Sequence, residues 1–322
     1  VLVAPLLAPV RVTQTFGNYN QQLYRRPPHR HKGLDLRAAL RQPVFFPEDG
    51  VVVHVWNGAG AFGYGVRTRD DNGSWNLAHF DERPRWEEGQ HVRAGALAGY
   101  ADSSGNSTGH HLHLGRRDSN GAPVNPLHVY ARYHAVRAGV DPDVFHRQIA
   151  MESGWNPWAH SWADAQGIAQ IIPRWHPNVD PWDPFDSLRY ATNLMSSHLA
   201  WSNGDYPRAL GAYNAGKGRI RPLGVWAPRA TWPRETRNYV TWILKGVDLA
   251  STDEHAALVA DSKRNHEKKM AALAQQATAL GLTVRMRATL ERSGVWETYK
   301  RAHPDDAQLY TDIHQWFADN VD

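Results

Sequence analysis

The feature that most restricts what this chain can fold into is a change of hydrophobic period near Tyr130. From Val44 to Leu114, valine, glycine and alternating apolar residues dominate, as in Val51-Val52-Val53-His54-Val55-Trp56, the pattern of short strands joined by glycine-containing turns. Beyond Tyr130 helical spacing takes over, and Asp141 followed by Pro142 forms a helix start signal. Two periods in one chain require two cores of different class, and 322 residues are enough for both with a remainder. The expected fold class is therefore multidomain α+β: an antiparallel β-rich unit over 1–128, an all-α unit over 129–250 and a helical tail over 251–322. The junction, Asn125 to Val140, is short and poor in glycine and serine, so the two units are expected to sit close together. In the tail, Leu258, Met270, Leu273 and Leu280 sustain no heptad, which points to packing on the second unit or on a protein partner through 251–322.

The first unit carries metal-type residue patterns. No cysteine occurs, so any metal there must rest on nitrogen and oxygen. His31 and Asp35 stand four apart, and His111-Leu112-His113 follows. Alternate residues of a strand share a face, which sets His111 and His113 on one side, about 6–7 Å apart. A catalytic zinc takes three protein ligands and leaves a position for water; His31, Asp35 and one of the tandem pair supply them. With 18 histidines in the chain, either pattern alone is unspecific. Trp75, Leu77 and His79 alternate along one segment and are expected on one strand face. The run Asn57 to Gly65 superficially suggests a phosphate loop but lacks the Gly-Lys-Ser/Thr ending, and reads as a hairpin turn. His110 reads as a surface or supporting residue.

Taken in order and at their separations, His31-Lys32-Gly33-Leu34-Asp35-Leu36, Asn76-Leu77-Ala78-His79-Phe80 and the segment Ser104 to Gly115 resemble the lysostaphin-like zinc endopeptidases that cut peptidoglycan peptides. The likeness covers roughly Pro9 to Leu127. It implies one zinc ion held by His31, Asp35 and His113, with His79 and His111 as the unligated catalytic pair at the reacting carbonyl. Which of those two is the base stays open, as does the bond cut: Gly-Gly bridges and D-Ala to diaminopimelate links both lie within what the resemblance allows.

In the second unit, Phe145, Ile149 and Glu152 recur at spacings of four and three along a helix expected to end at Gly154. A carboxylate on a core-facing stripe is costly: burial disfavours the charged form, raises the pKa and leaves an acid able to donate a proton near neutral pH. After Glu152-Ser153-Gly154 come Gly167 to Pro173, Ala212-Tyr213-Asn214-Ala215-Gly216 and Glu235 to Val240. In this order they resemble the soluble lytic transglycosylases, whose fold is like goose-type lysozyme, over roughly Tyr130 to Gly246. The resemblance implies Glu152 as general acid, Ser161, Gln170, Tyr213 and Asn214 on the substrate side, and Tyr239 near the acid. Asp164 departs from the glycine common at that turn. No second carboxylate accompanies Glu152 in these motifs, although a glycosidase normally uses two. The resemblance implies a 1,6-anhydro product from the MurNAc–GlcNAc bond; hydrolysis by the same acid stays open. Trp155, Trp158, Trp162 and Trp175 are candidates for stacking on sugar or for lining a groove.

Charge and hydropathy narrow the setting. Residues 1–250 hold 27 Lys and Arg against 21 acids, and 251–322 hold 9 against 11, so the positive charge lies with the candidate sites and suits an anionic wall polymer. No nucleic-acid motif accompanies it. No apolar run is long enough for a membrane span. Val1 to Pro9 is too short and lacks the basic start of a secretion signal, and a chain beginning with Val reads as a processed or excised portion of something longer. These readings converge on a bifunctional peptidoglycan-degrading enzyme in an extracytoplasmic setting, the cell wall or periplasm, with a phage virion component as the preferred context and a conjugation or secretion machine as another. The rival from a different class is a wall-binding or assembly scaffold with one or both sites inert.

Overall fold

The computed structural model describes residues 1–18 and 30–247. The expected tail over 251–322 lies outside the described residues. Among the described residues ten strands come first: β1 (Val12–Gln14), β2 (Leu34–Arg37), β3 (Pro43–Phe45), β4 (Gly50–Asn57), β5 (Tyr64–Asp70), β6 (Gly73–Phe80), β7 (His91–Val92), β8 (Leu97–Tyr100), β9 (His111–Asp118) and β10 (Pro123–Val124). Helices follow: α1 (Pro126–Arg137), α2 (Pro142–Ser153), α3 (Pro184–Trp201), α4 (Tyr206–Ala215), α5 (Lys217–Ile220) and α6 (Arg234–Leu244). The α+β class read from the two periods is what forms.

The main sheet runs β1-β2-β9-β6-β5-β4-β7, with β10 paired to β9 and β3-β8 as a separate ribbon; every pairing is antiparallel. Register explains how one sheet serves both core and chemistry. Directly opposed residues share a face, so Leu34 with Leu114, Leu36 with Leu112, and Leu77 with Leu114 build one side, all fully buried. The intervening residues, Asp35 opposite His113 opposite Ala78, turn to the other. The glycine-rich run is the turn between β4 and β5, as its composition suggested, and it packs on the loop before β9 through Asn106 N–H to Ala61 O at 2.9 Å.

The junction differs from the sequence reading, which took Asp141 as the first clear helix start. Residues 126–137 are themselves α1, capped by the Asn125 side chain on Leu127 N–H, with Pro126 at the first turn. Leu127, Tyr130, Ala131 and Ala135 are buried against α2 and α3, so the link is a packed helix. Its apolar residues face several neighbours at once, which blurs the single stripe that periodicity detects. Helix α2 matches expectation: Asp141 accepts from Asp143 and Val144 N–H, and Gly154 closes the helix in the left-handed conformation at φ 62°.

The first ten residues are structural as well. Leu2, Leu6 and Val10 are buried, and Val3 N–H bonds Pro47 O at 2.8 Å. Val10 N–H then donates to Asp183 Oδ2 at 2.7 Å and Arg11 pairs with Asp180 at 2.6 Å, which ties the start of the β-rich part to the helical part.

Candidate active sites

On the polar face of the sheet, β2 contributes Asp35 and β9 contributes His113, directly opposed; His31 arrives from the loop before β2. His31 Nε2, His113 Nδ1 and Asp35 Oδ1 form a triangle with sides of 3.1, 2.9 and 3.1 Å, close to the edge of about 3.3 Å expected for tetrahedral ligands at about 2.0–2.1 Å from zinc. His31 Nδ1–H donates to Thr15 O at 3.1 Å, leaving Nε2 as a lone-pair donor aimed inward, the orientation that an outer carbonyl imposes on a metal-binding histidine. Burial works to raise the Asp35 carboxyl, but the adjoining His113 and His31 rings prevail and hold it well below the usual range. Burial lowers the His113 imidazole despite its bond to Asp35. Two imidazole nitrogens and a carboxylate oxygen meeting at one point fit a divalent cation, and no second such group occurs among the described residues.

His79 and His111 stand beside this triangle with ring centroids 4.5 Å apart. His111 Nδ1–H donates to Gly109 O at 2.8 Å and its Nε2 lies 3.8 Å from Asp35 Oδ1. His79 Nδ1–H donates to Ser104 O at 2.7 Å. Burial, with the neighbouring His111, pushes the His79 ring down to about 4, so it is neutral at pH 7 with Nε2 able to take a proton. Its route there corrects the sequence reading. Trp75 and Leu77 share the core face, and regular alternation would bury His79 with them. Instead Gly65 opposes Ala78 while Tyr64 opposes Phe80, so His79 is the extra residue of a β-bulge at φ 67°, and the bulge turns its ring towards His111 and His113. The groove, about 530 Å³, is lined by Thr13, Gln14, Lys32, Phe62 and His110 besides these histidines. His110 is held at the rim by Asp102, 2.7 Å away.

In the helical part, packing of α6 against α2 lets Tyr239 Oη donate to Glu152 Oε1 at 2.5 Å. Burial, outweighing that hydrogen bond, pushes the Glu152 carboxyl up to about 8. Tyr213, from α4, also lies in the field of Glu152 and is itself pushed up by burial; its hydroxyl donates to Ala169 O at 2.8 Å. Gln170, at φ 50°, donates to Gly167 O and Ala159 O. The Ser161 hydroxyl accepts from Ala165 N–H at 3.0 Å and closes its own turn. Asn214 Oδ1 accepts from Thr236 at 2.7 Å, linking α4 to α6. Asp164 occupies φ 65°, the left-handed region where glycine is at ease and aspartate is among the better-tolerated substitutes, so the turn keeps its shape without the glycine. Trp162 is fully exposed, Trp175 largely so and Trp158 by nearly half, and Trp155 packs on His128 and His146.

Several supports carry no residue-type signal: the carbonyls of Thr15, Ser104 and Gly109 that orient three imidazoles could be any residue's. Gly33 and Ser153 are legible within their motifs. A Cβ at Gly33 would lie 2.5 Å from His113 Cε1, and Ser153 Oγ ties the end of α2 to Ile168 O at 2.7 Å.

Two stretches of the chain match known families. Residues 29–126 match the model of Peptidase family M23, and residues 129–224 match that of the Transglycosylase SLT domain. The DD-carboxypeptidase/endopeptidase Mpg of Neisseria meningitidis is 39% identical over 100 residues, 31% of this chain and 22% of that protein. The membrane-bound lytic murein transglycosylase D of Escherichia coli is 30% identical over 165 residues, 42% of this chain and 35% of that protein. The chain thus spans between a fifth and about a third of the length of these relatives. Among solved structures, the catalytic domain of a prophage-encoded M23 protein from Enterococcus faecalis is 31% identical, covering 38% of this chain and 94% of that one, at a TM-score of 0.33. The chain carries a Peptidase family M23 domain followed by a transglycosylase SLT domain.

Proposed function

We propose that this chain degrades peptidoglycan with two machines, residues 1–128 cutting wall peptides with one zinc ion and residues 129–250 cutting the MurNAc–GlcNAc bond. The observation that carries the reading is the pairing of a convergent His31-Asp35-His113 triangle with a desolvated, tyrosine-bonded Glu152 in one chain. In the first site, His31, Asp35 and His113 hold the ion, which when bound supplies Lewis acidity towards a carbonyl and towards water. His79 and His111, each with Nδ1–H fixed by a backbone carbonyl, present Nε2 to the reacting amide. One takes the proton from water onto Nε2 and returns it to the leaving amine, and the other lies beside the oxyanion, which it steadies when its own Nε2 carries a proton.

In the second site, a carboxyl raised to about 8 is mostly protonated at pH 7, as a proton donor must be. Glu152 gives its proton to the glycosidic oxygen as the bond to the anomeric carbon breaks, and the substrate's acetamido group steadies the cationic centre. The resulting carboxylate takes the proton of the muramic acid 6-hydroxyl while that oxygen bonds the anomeric carbon, giving a 1,6-anhydro end and restoring the acid. Tyr239 orients Glu152, while Ser161, Gln170, Tyr213 and Asn214 shape the sugar side. Work on the wall places the protein outside the cytoplasm, and a virion component that opens the wall locally suits the pairing of activities; 251–322 is the segment left for a protein partner. No helix among the described residues is long and apolar enough to cross a membrane.

The test is mass spectrometry of products from purified wall. Glu152→Gln is expected to lower glycan cleavage by roughly a thousandfold or more while chelator-sensitive peptide release persists, and the parent is expected to leave anhydro ends. A variant that kept parental glycan release would remove Glu152 as the acid, and reducing ends from the parent would replace anhydro formation by hydrolysis.

A further inference from the structure

The two sites meet at β1. It and the two residues before it are held by the helical part: Val10 N–H on the buried Asp183 carboxylate, Arg11 on Asp180, and the Trp158 indole N–H on Val12 O at 3.2 Å. Its inner side belongs to the peptide groove, where Thr13 and Gln14 form part of the wall and the next residue's carbonyl holds His31. The Gln14 side-chain nitrogen is buried there with no hydrogen-bond partner among the described residues. The loop bearing Trp158 also runs straight into the sugar side of the other site. Ala159 O accepts from Gly167 N–H and from the Gln170 side chain, and Ser161 lies two residues further on. With its N–H anchored, Trp158 still leaves 46% of its surface exposed, enough to offer a ring face. The packed α1 junction leaves no tether by which the sites could separate.

Resting on the function proposed above, we infer that the zinc groove takes stem peptides still attached to their glycan strand, with the sugar next to the peptide's attachment point resting against Trp158. The ligand class is an acidic peptide joined through a lactyl ether to an N-acetylated amino sugar. Its carboxylates suit a groove rim bearing Arg30 and Lys32, and an aromatic face suits its sugar. Trp158 is then a specificity-determining side chain of the peptidase, contributed by the helical part of the chain.

The experiment uses the full chain carrying Glu152→Gln, so that sugar chains survive, and compares kcat/KM for a stem peptide offered free and offered on an intact tetrasaccharide. The glycan-borne peptide is expected to be cut at least tenfold better. Adding Trp158→Ala is expected to bring the ratio of the two close to one, and Trp158→Phe, which keeps a ring, to restore part of it. Equal kcat/KM for both substrates in the Glu152→Gln chain, or a ratio that Trp158→Ala leaves in place, overturns the inference while leaving the peptidase reading intact. Failure to cut either peptide overturns both.

Discussion

At the scale of single residues, Gly33 shows how little freedom the peptide site has. An added Cβ would meet the His113 ring at 2.5 Å and the Leu114 carbonyl oxygen at 2.8 Å, and the carbonyl is fixed in the β2–β9 pairing. Relieving both contacts takes a shift of the Gly33 backbone, which lies between His31 and Asp35, as well as of the ring. Gly33→Ala is expected to weaken zinc binding by about 10–100-fold, the range seen when support of a metal-bound histidine is lost. Competition with a chromophoric chelator measures it, and unchanged affinity would show that the ring has room to move. His31, Asp35 and His113 were legible in the sequence because their types are rare in combination and keep a fixed order along the chain. The means by which His79 reaches them was not. A bulge depends on how β5 and β6 pair, and strict alternation buries the same residue. Trp158 and Asp183 were illegible as joints for a related reason: their partners lie 146 and 173 residues away, and such contacts leave no local pattern.

At the scale of elements, the N-terminus of α3 does two tasks with one carboxylate. Asp183 Oδ1 accepts from Phe185 and Asp186 N–H as the helix cap, while Oδ2 accepts from Val10 N–H, and the residue is 1% exposed. Removing it uncaps the helix, at about 1 kcal/mol, and leaves a buried N–H unpaired, at about 1–3 kcal/mol. Asp183→Ala is thus expected to lower stability by roughly 2–4 kcal/mol in urea unfolding, and a loss within 0.5 kcal/mol would mean that water replaces the carboxylate cheaply. Helix α2 could be read in advance from Asp141, Pro142 and Gly154, which are local signals. Helix α1 carries equally local ones in Asn125 and Pro126, but its apolar residues serve α2, α3 and the sheet together, so no single stripe announced it.

For the whole molecule, buried histidines set the response to acid. Burial lowers His128 and His134 to about 4 and His198 to about 3, against about 6.5 in an unfolded chain. A depressed folded pKa means that the unfolded state binds the proton first. The stability these rings share is thus complete above pH 6.5 and is lost as the pH falls through 4 and below. At about 1.4 kcal/mol per unit, discounted because His128 and His134 keep some contact with solvent, the loss between pH 7 and 4 is on the order of a few kcal/mol. Thermal unfolding should show the midpoint falling across that window, and a flat profile would place these rings in contact with bulk water.

The clamp on β1 also bears on how such a chain can be rearranged. A recombination breakpoint at Asn125 looks natural on a linear map, yet it would carry Val10, Arg11 and Val12 away from Asp183, Asp180 and Trp158. Swapping either half for a homologous cassette from elsewhere would strand a main-chain amide and loosen the strand whose neighbour steadies His31. The viable unit of exchange is the pair, inherited together.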